Sequence, residues 1–127
     1  MGTANMSTIL VVEDDEQLRS WLRKLLESKG YSVLEAGDGN KALAWINRER
    51  PDLIVLDIYL PDRDGLETLL QLRKGGQTFK VLAISGKFDA GHSTDALAII
   101  LGACETLAKP FAASVFLERV ERLLKPA

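Results

Sequence analysis

The stretch DLIVLDIYLP, which runs from Asp52 to Pro61, carries the strongest structural signal in the sequence. The four large apolar residues before Asp57 are typical of a strand that is buried on both faces, as in a parallel sheet. Such sheets bind ligands at the carboxyl ends of their strands, where Asp57 stands. A carboxylate there is costly to desolvate unless another group pairs with it. Asp57 is therefore a candidate functional residue, although the run alone also fits an aspartate that caps a loop.

The remaining apolar patterns predict strands and helices in alternation. Further strands are predicted at residues 9–12, 31–35, 79–84 and 104–108, and a helix follows each of the five strands. This alternation predicts an α/β fold, a flavodoxin-like doubly wound parallel sheet of five strands in the order 2-1-3-4-5. Leu66, Leu69 and Leu70 mark the third helix. The last helix is predicted to pack Val115 or Phe116, Val120, Leu123 and Leu124 inward.

Length and composition predict a single soluble domain in the cytoplasm. The 127 residues have a formal charge of −2, which argues against direct nucleic-acid binding. A single cysteine, Cys104, excludes an internal disulfide and suits a reducing compartment. No apolar run approaches the roughly 18 residues of a membrane helix. We expect a flexible leader at 1–7, the domain at 8–124 and a tail at 125–127.

The predicted topology brings complementary chemical groups to one crevice. Glu13 and Asp14 end the first strand and Asp57 ends the third, on either side of the point where the strand order reverses. Three neighbouring carboxylates need a counter-charge or raised pKa values, and a few oxygen ligands suit Mg²⁺. Lys109 adds an ammonium and Ser85 a hydroxyl. These groups are what phosphoryl transfer to an aspartate nucleophile requires.

These residues resemble the receiver domain of bacterial two-component response regulators, from about Thr8 to Leu124. Each matching segment is short, but all of them occur in order and at predicted strand ends. They are VVEDD at 11–15, LD at 56–57, LPDRDG at 60–65, ISG at 84–86, LGA at 101–103 and AKPF at 108–111.

The resemblance implies a role for each matching residue. Asp57 would be the phosphoacceptor, Asp14 a direct Mg²⁺ ligand and Glu13 a ligand through water. Ser85 would be the switch hydroxyl that moves onto the phosphoryl group, and Lys109 would pair with that group. The peptide bond that follows Lys109 is expected to be cis, as is usual in this family.

Other positions concern tuning and signal output. Tyr59 matches the residue that offers its backbone carbonyl to Mg²⁺, and Tyr59 and Lys87 match positions that tune hydrolysis of the phosphoaspartate. We expect bulky Tyr59 to slow that hydrolysis. Thr106 stands where many receivers carry an aromatic residue that relays phosphorylation. The signal from Ser85 is therefore expected to travel through backbone and helix shifts, or to be weaker.

The predicted helix around Leu97 and Ile99 is apolar nearly all round. Either this helix is unusually buried, or it exposes a patch that binds a partner or a second copy of the chain. A homodimer is thus one expectation for this surface.

The resemblance implies a signalling module rather than an enzyme, with only self-phosphorylation and slow autodephosphorylation. Its phosphodonor would be a sensor histidine kinase or a histidine phosphotransfer protein, and its downstream protein is unknown. Because only residues 125–127 follow the domain, we expect a stand-alone regulator; a receiver excised from a hybrid kinase or larger regulator is the alternative. A phosphohydrolase of the haloacid dehalogenase type would want an aspartate where Tyr59 stands. A flavin carrier would want a phosphate-binding loop where Glu13 and Asp14 stand.

Overall fold

The computed structural model describes residues 7–58, 65–75, 79–85, 103 and 105–126. Within these ranges the chain forms five strands and four helices. The strands are β1 (Thr8–Val12), β2 (Ser32–Ala36), β3 (Leu53–Asp57), β4 (Val81–Ser85) and β5 (Glu105–Ala108), and the helices are α1 (Glu16–Ser28), α2 (Gly39–Glu49), α3 (Gly65–Lys74) and α4 (Ala113–Leu124).

The five strands form one parallel sheet in the order β2-β1-β3-β4-β5. The predicted flavodoxin-like order is therefore confirmed. β3 lies at the centre of the sheet, and all five of its residues are buried. This matches the continuous apolar run in the sequence, because helices cover both faces of a parallel sheet.

The hydrophobic core has two layers, one on each face of the sheet. Alternate residues of each strand point to opposite faces, which divides the apolar side chains between the layers. One layer packs α2 and α3 against the sheet, and its central members are Leu10, Ala42, Ile46, Ile54, Leu56 and Leu69. The other packs α1 and α4, and its central members are Leu22, Leu26, Val55, Leu82, Phe116 and Val120.

Local signals in the sequence place the helix ends. The carboxylate of Asp15 caps α1 by accepting hydrogen bonds from the backbone N–H groups of Gln17 and Leu18, at 3.0 and 3.1 Å. Asp38 caps α2 in the same way through Lys41 N–H. Such caps satisfy backbone donors that have no partner within the helix. Gly30 follows α1 with a φ of 89°, a left-handed conformation that glycine adopts without strain.

The structure shows which apolar side chains of α3 and α4 face the core. In α3, Leu69 and Leu72 are buried, whereas Leu70 is 40% exposed. The stripe of α3 runs through Leu69 and Leu72 because a helix turns about 100° per residue. In α4, Phe116 is buried and Val115 is 38% exposed, which settles the choice between them.

None of the helices in the described ranges combines the length and the apolar composition that a bilayer crossing requires. Several predicted residues lie outside the described ranges. They are Tyr59, Lys87, Leu97, Ile99 and Cys104.

Candidate functional site

Three carboxylates meet at the carboxyl edge of the sheet, the edge where all five strands end. β1 and β3 are neighbours whose register pairs Val12 with Leu56, so the residues that follow, Glu13 and Asp57, stand level with each other. One carboxylate oxygen from each of Glu13, Asp14 and Asp57 lies within 4.8 Å of the other two. The structure thus brings together the three acids that the sequence placed at strand ends.

Lys109 reaches two of these carboxylates from the end of β5. Its backbone N–H donates to the carbonyl of Ser85 at 2.8 Å, which holds Lys109 beside the end of β4. Its Nζ atom lies 3.2 Å from Oδ2 of Asp57 and 3.2 Å from Oε1 of Glu13. The peptide bond between Lys109 and Pro110 is cis, as expected. One ammonium group therefore bridges the two buried acids.

Burial and mutual repulsion alter the proton affinities in this cluster. Glu13 and Asp57 are 1% and 3% exposed. Burial of the Glu13 carboxyl group, together with repulsion from Asp57, raises its pKa from 4.5 to about 7, although Asp15 N–H and Lys109 act in the opposite direction. Burial favours the neutral form of Lys109, but the carboxylates of Asp57 and Glu13 outweigh it and raise the lysine pKa.

The composition of the cluster fits a divalent cation. Lys109 contributes one positive charge against three carboxylates, two of which are almost fully buried. Within the described part of the chain, the buried Oε1 of Glu13 has no well-aligned hydrogen-bond donor and meets Lys109 only as an ion pair. Asp14 is exposed and leaves the cluster open to water. Hard oxygen ligands beside solvent suit Mg²⁺, which retains several waters when bound.

Ser85 and Thr106 lie at different positions along their strands. Ser85 is the last residue of β4 and is 4% exposed, one strand away from Asp57. Thr106 pairs with Ala83 in the register of β4 and β5, two residues before the end of β5. The structure therefore places Ser85 at the carboxyl edge and Thr106 inside the sheet.

Gly65 holds the chain tightly against the end of β3. Its backbone N–H donates to the carbonyl of Ile58 at 2.8 Å. A Cβ atom at this position would lie 2.2 Å from the Cα of Ile58 and 2.6 Å from the carbonyl oxygen of Asp57. Only glycine permits this approach, so Gly65 helps to set the backbone that follows Asp57.

Arg19 is a contact of the site that the sequence reasoning missed. Its Nη1 atom donates to the backbone carbonyl of Glu13 at 2.8 Å. The sequence does show an arginine one turn into the helix that follows the acidic end of the first strand. That pattern does not reveal that the arginine donates to a backbone carbonyl.

Comparison with known proteins gives consistent results. The family model for the response regulator receiver domain matches residues 9–121. The chain is similar to the response regulator MprA of Mycobacterium leprae, with 40% identity over 117 residues that cover 92% of this chain and 50% of that protein. It is also similar to the alkaline phosphatase synthesis transcriptional regulatory protein PhoP of Bacillus subtilis, with 39% identity over 117 residues, 92% of this chain and 48% of that protein. The chain thus spans about half the length of the curated relatives it matches.

Solved structures of receiver domains are also similar to this chain, over nearly its whole length. The receiver domain of NtrX from Brucella abortus matches with a TM-score of 0.86 and 35% identity over 94% of this chain and 99% of that one. The receiver domain of the Francisella response regulator 1452 matches with a TM-score of 0.86 and 29% identity, covering 93% and 96% of the two chains.

Proposed function

Because the chain belongs to the response regulator receiver domain family, we propose that it accepts a phosphoryl group on Asp57 and changes its partner contacts in response. One observation carries this proposal for the site. Lys109 Nζ lies 3.2 Å from Asp57 Oδ2 and 3.2 Å from Glu13 Oε1, so a cation stands beside the candidate nucleophile in a largely buried site.

In the proposed reaction, a carboxylate oxygen of Asp57 attacks the phosphorus atom of the donor. A new oxygen–phosphorus bond forms on Asp57, and the bond between phosphorus and the donor group breaks. The leaving group is an imidazole when the donor is a phosphohistidine, and acetate when it is acetyl phosphate. The transition state spreads negative charge over the equatorial phosphoryl oxygens, which calls for fixed positive charge nearby.

Lys109 supplies part of that charge. Its ammonium group is held near Asp57 by the end of β5 and lies 28% exposed, within reach of incoming oxygen atoms. When the phosphoryl group arrives, Lys109 can transfer its contact from the Asp57 oxygen to a phosphoryl oxygen. The charge–charge contact is therefore kept throughout the transfer.

We assign the cation ligands to Glu13, Asp14, Asp57 and the backbone carbonyl of Tyr59, with Glu13 acting through water. A bound Mg²⁺ would supply positive charge for the phosphoryl oxygens. Asp14 is the exposed carboxylate of the group. Asp57 is positioned as the last residue of β3, and Glu13 as the residue that follows β1.

Ser85 is our candidate for the residue that transmits the change. Its buried position at the end of β4 puts a hydroxyl group one strand away from Asp57. Movement of this hydroxyl onto a phosphoryl oxygen would shift an equilibrium between two conformations of the chain. Because Thr106 stands where many receivers carry an aromatic relay residue, we propose that the signal from Ser85 travels through movement of the backbone.

We propose a signalling role and no turnover of a separate substrate. The donor would be a sensor histidine kinase or a histidine phosphotransfer protein in the cytoplasm, and the output would be contact with another protein or with a second copy of the chain. Tyr59 and Lys87 would set the lifetime of the phosphoaspartate. The segment that carries Leu97 and Ile99 is the proposed contact region, and sedimentation of Ile99→Lys with and without phosphorylation tests it.

The central experiment is intact-mass spectrometry after incubation with acetyl phosphate and Mg²⁺. We expect one phosphoryl adduct on the unsubstituted chain, no adduct on Asp57→Asn and no adduct when the metal is chelated. Asp38→Asn is the matched control, because asparagine caps a helix as well as aspartate does and Asp38 caps α2 outside the cluster. An adduct that persists in Asp57→Asn would contradict the proposal.

A further inference from the structure

The guanidinium group of Arg19 joins the loop after β1 to the edge strand β2. Its Nη1 atom donates to the backbone carbonyl of Glu13 at 2.8 Å, and its Nε atom donates to Oε1 of Glu35 at 3.2 Å. The side chain of Arg19 is only 20% exposed. Arg19 is thus held at two points, and one of them is the backbone of a candidate cation ligand.

This contact completes the support of the Glu13 backbone. The N–H of Glu13 donates to the carbonyl of Ala36 at 3.0 Å, and its carbonyl accepts from Arg19. The peptide unit between Glu13 and Asp14 is planar, so the direction of the Glu13 carbonyl also sets the position of the Asp14 Cα atom. Asp14 is exposed, and this peptide unit joins it to a buried residue that is held on both sides.

We propose that Arg19 is a positioning residue for the cation site, holding the Glu13–Asp14 peptide so that the three carboxylates converge. This inference rests on the proposed function, because it assigns Arg19 a role toward the cation of that same site. Arg19 acts through the backbone and touches none of the carboxylate oxygens proposed as ligands.

The two contacts of Arg19 require a side chain that can donate hydrogen bonds in two directions. Arginine offers donors in two directions at once, one for Glu13 and one for Glu35, whereas lysine offers a single nitrogen. Gly37 leaves room for this arrangement, since a Cβ atom there would lie 3.3 Å from Nη1 of Arg19. A lysine at position 19 keeps the positive charge but loses one of the two contacts.

Arg23 provides a matched control on the same helix. Its Nε atom lies 3.1 Å from Oε2 of Glu35, and its Nη1 atom lies 3.3 Å from Oε1 of Glu27. Arg23 therefore shares the Glu35 partner with Arg19, but its second contact runs to Glu27 rather than to Glu13. Removing either arginine costs one positive charge on α1 and one ion pair with Glu35.

The experiment measures Mn²⁺ binding by electron paramagnetic resonance of the free ion, in the absence of any phosphodonor. We expect Arg19→Met to weaken Mn²⁺ binding by about tenfold, as when hydrogen bonds that orient metal ligands are lost. Arg19→Lys should recover only part of this loss, and Arg23→Met should bind like the unsubstituted chain. Thermal unfolding of each variant by circular dichroism verifies that it is folded at the measuring temperature.

The outcomes separate this inference from the proposed function. Unchanged binding in Arg19→Met overturns the inference, as does an equal loss in Arg23→Met. Full recovery in Arg19→Lys also overturns it, because it would show that the two contacts of the guanidinium group are not required. Absence of Mn²⁺ binding in the unsubstituted chain would overturn the proposed cation site and the inference with it. A second readout is the rate of phosphorylation by acetyl phosphate, which should return to the unsubstituted value in Arg19→Met when Mg²⁺ is raised to saturation.

Discussion

The ammonium group of Lys109 lies 3.2 Å from Oδ2 of Asp57, although the two residues are 52 positions apart in the chain. Asp57 is the last residue of β3 and Lys109 follows the last residue of β5, and β4 lies between these two strands in the sheet. A lysine side chain is long enough to cross that strand, so a contact between non-adjacent strands forms at the carboxyl edge. The same nitrogen atom lies 3.2 Å from Oε1 of Glu13, so one ammonium group serves two buried carboxylates.

Replacing Lys109 by methionine should destabilise the metal-free chain. The substitution leaves the buried carboxylates of Glu13 and Asp57 without their shared ammonium. We expect a loss of about 2 kcal/mol in the free energy of unfolding at pH 8, below the value for a fully buried pair because Lys109 is partly exposed. Saturating Mg²⁺ should recover much of that loss by replacing the missing charge.

Urea denaturation with and without Mg²⁺ measures this effect. Lys80→Met is the control, because Lys80 is an exposed lysine that precedes β4 at the opposite end of the sheet. Its loss of stability should stay within about 0.5 kcal/mol. Equal losses in the two variants would show that Lys109 does not compensate the cluster.

The pH dependence of stability should reveal the raised pKa of Glu13. Its folded-state pKa, about 7, is above the ordinary value of 4.5, so the folded chain binds this proton more tightly than the unfolded chain does. The resulting stabilisation is complete below pH 4.5 and is lost as the pH rises through 7. The size of this effect is on the order of 3 kcal/mol, since each pKa unit corresponds to about 1.4 kcal/mol.

We therefore expect the unfolding free energy of the metal-free chain to fall more steeply between pH 5 and pH 8 than that of Glu13→Gln. Comparing the two slopes removes any constant difference that the amide introduces. Equal slopes of unfolding free energy against pH in the two chains would contradict a raised pKa of Glu13.

The close approach of Gly65 to β3 predicts a severe effect of a single methyl group. The Cβ atom of Gly65→Ala would meet the backbone of Ile58 at 2.2 Å, which no side-chain rotation can relieve. We expect a loss of about 3 kcal/mol or more, since a clash with backbone is harder to relax than overpacking in a core.

Gly75→Ala is the matched control for Gly65→Ala. A Cβ atom at Gly75 would lie at an ordinary contact distance of 3.5 Å from the carbonyl oxygen of Leu72. Its stability should change by less than about 1 kcal/mol. Urea denaturation of both variants provides the comparison, and similar stabilities would show that the end of β3 can move aside.

Asp14 and Asp15 are neighbours with different expected roles. Asp15 caps α1, so Asp15→Ala should lower the unfolding free energy by about 1 kcal/mol. It should leave Mn²⁺ affinity nearly unchanged, because the cluster is formed by Glu13, Asp14 and Asp57. Asp14→Ala should show the reverse pattern, with affinity reduced about tenfold or more and little change in stability. A loss of affinity in Asp15→Ala would place that residue among the ligands.

The alternation of short apolar runs with helical patterns was sufficient to predict the sheet order and the edge at which the site lies. Parallel strands buried on both faces need continuous apolar residues, and their ends must converge, so the positions of Glu13, Asp14 and Asp57 followed from local patterns. The caps at Asp15 and Asp38 are also local, because a carboxylate there bonds N–H groups only two or three residues away.

Contacts between distant residues depended on packing that no local pattern describes. Glu13 is buried and Asp14 exposed although they are adjacent, and the bridge from Lys109 to Glu13 and Asp57 requires the exact spacing of three strands. Arg19 could have faced solvent like many helical arginines, yet the position of β2 directs it to Glu35 and to the Glu13 carbonyl. Such distances are set by the assembled layers, because a shift of about 1 Å makes or breaks a hydrogen bond without changing the pattern of apolar residues.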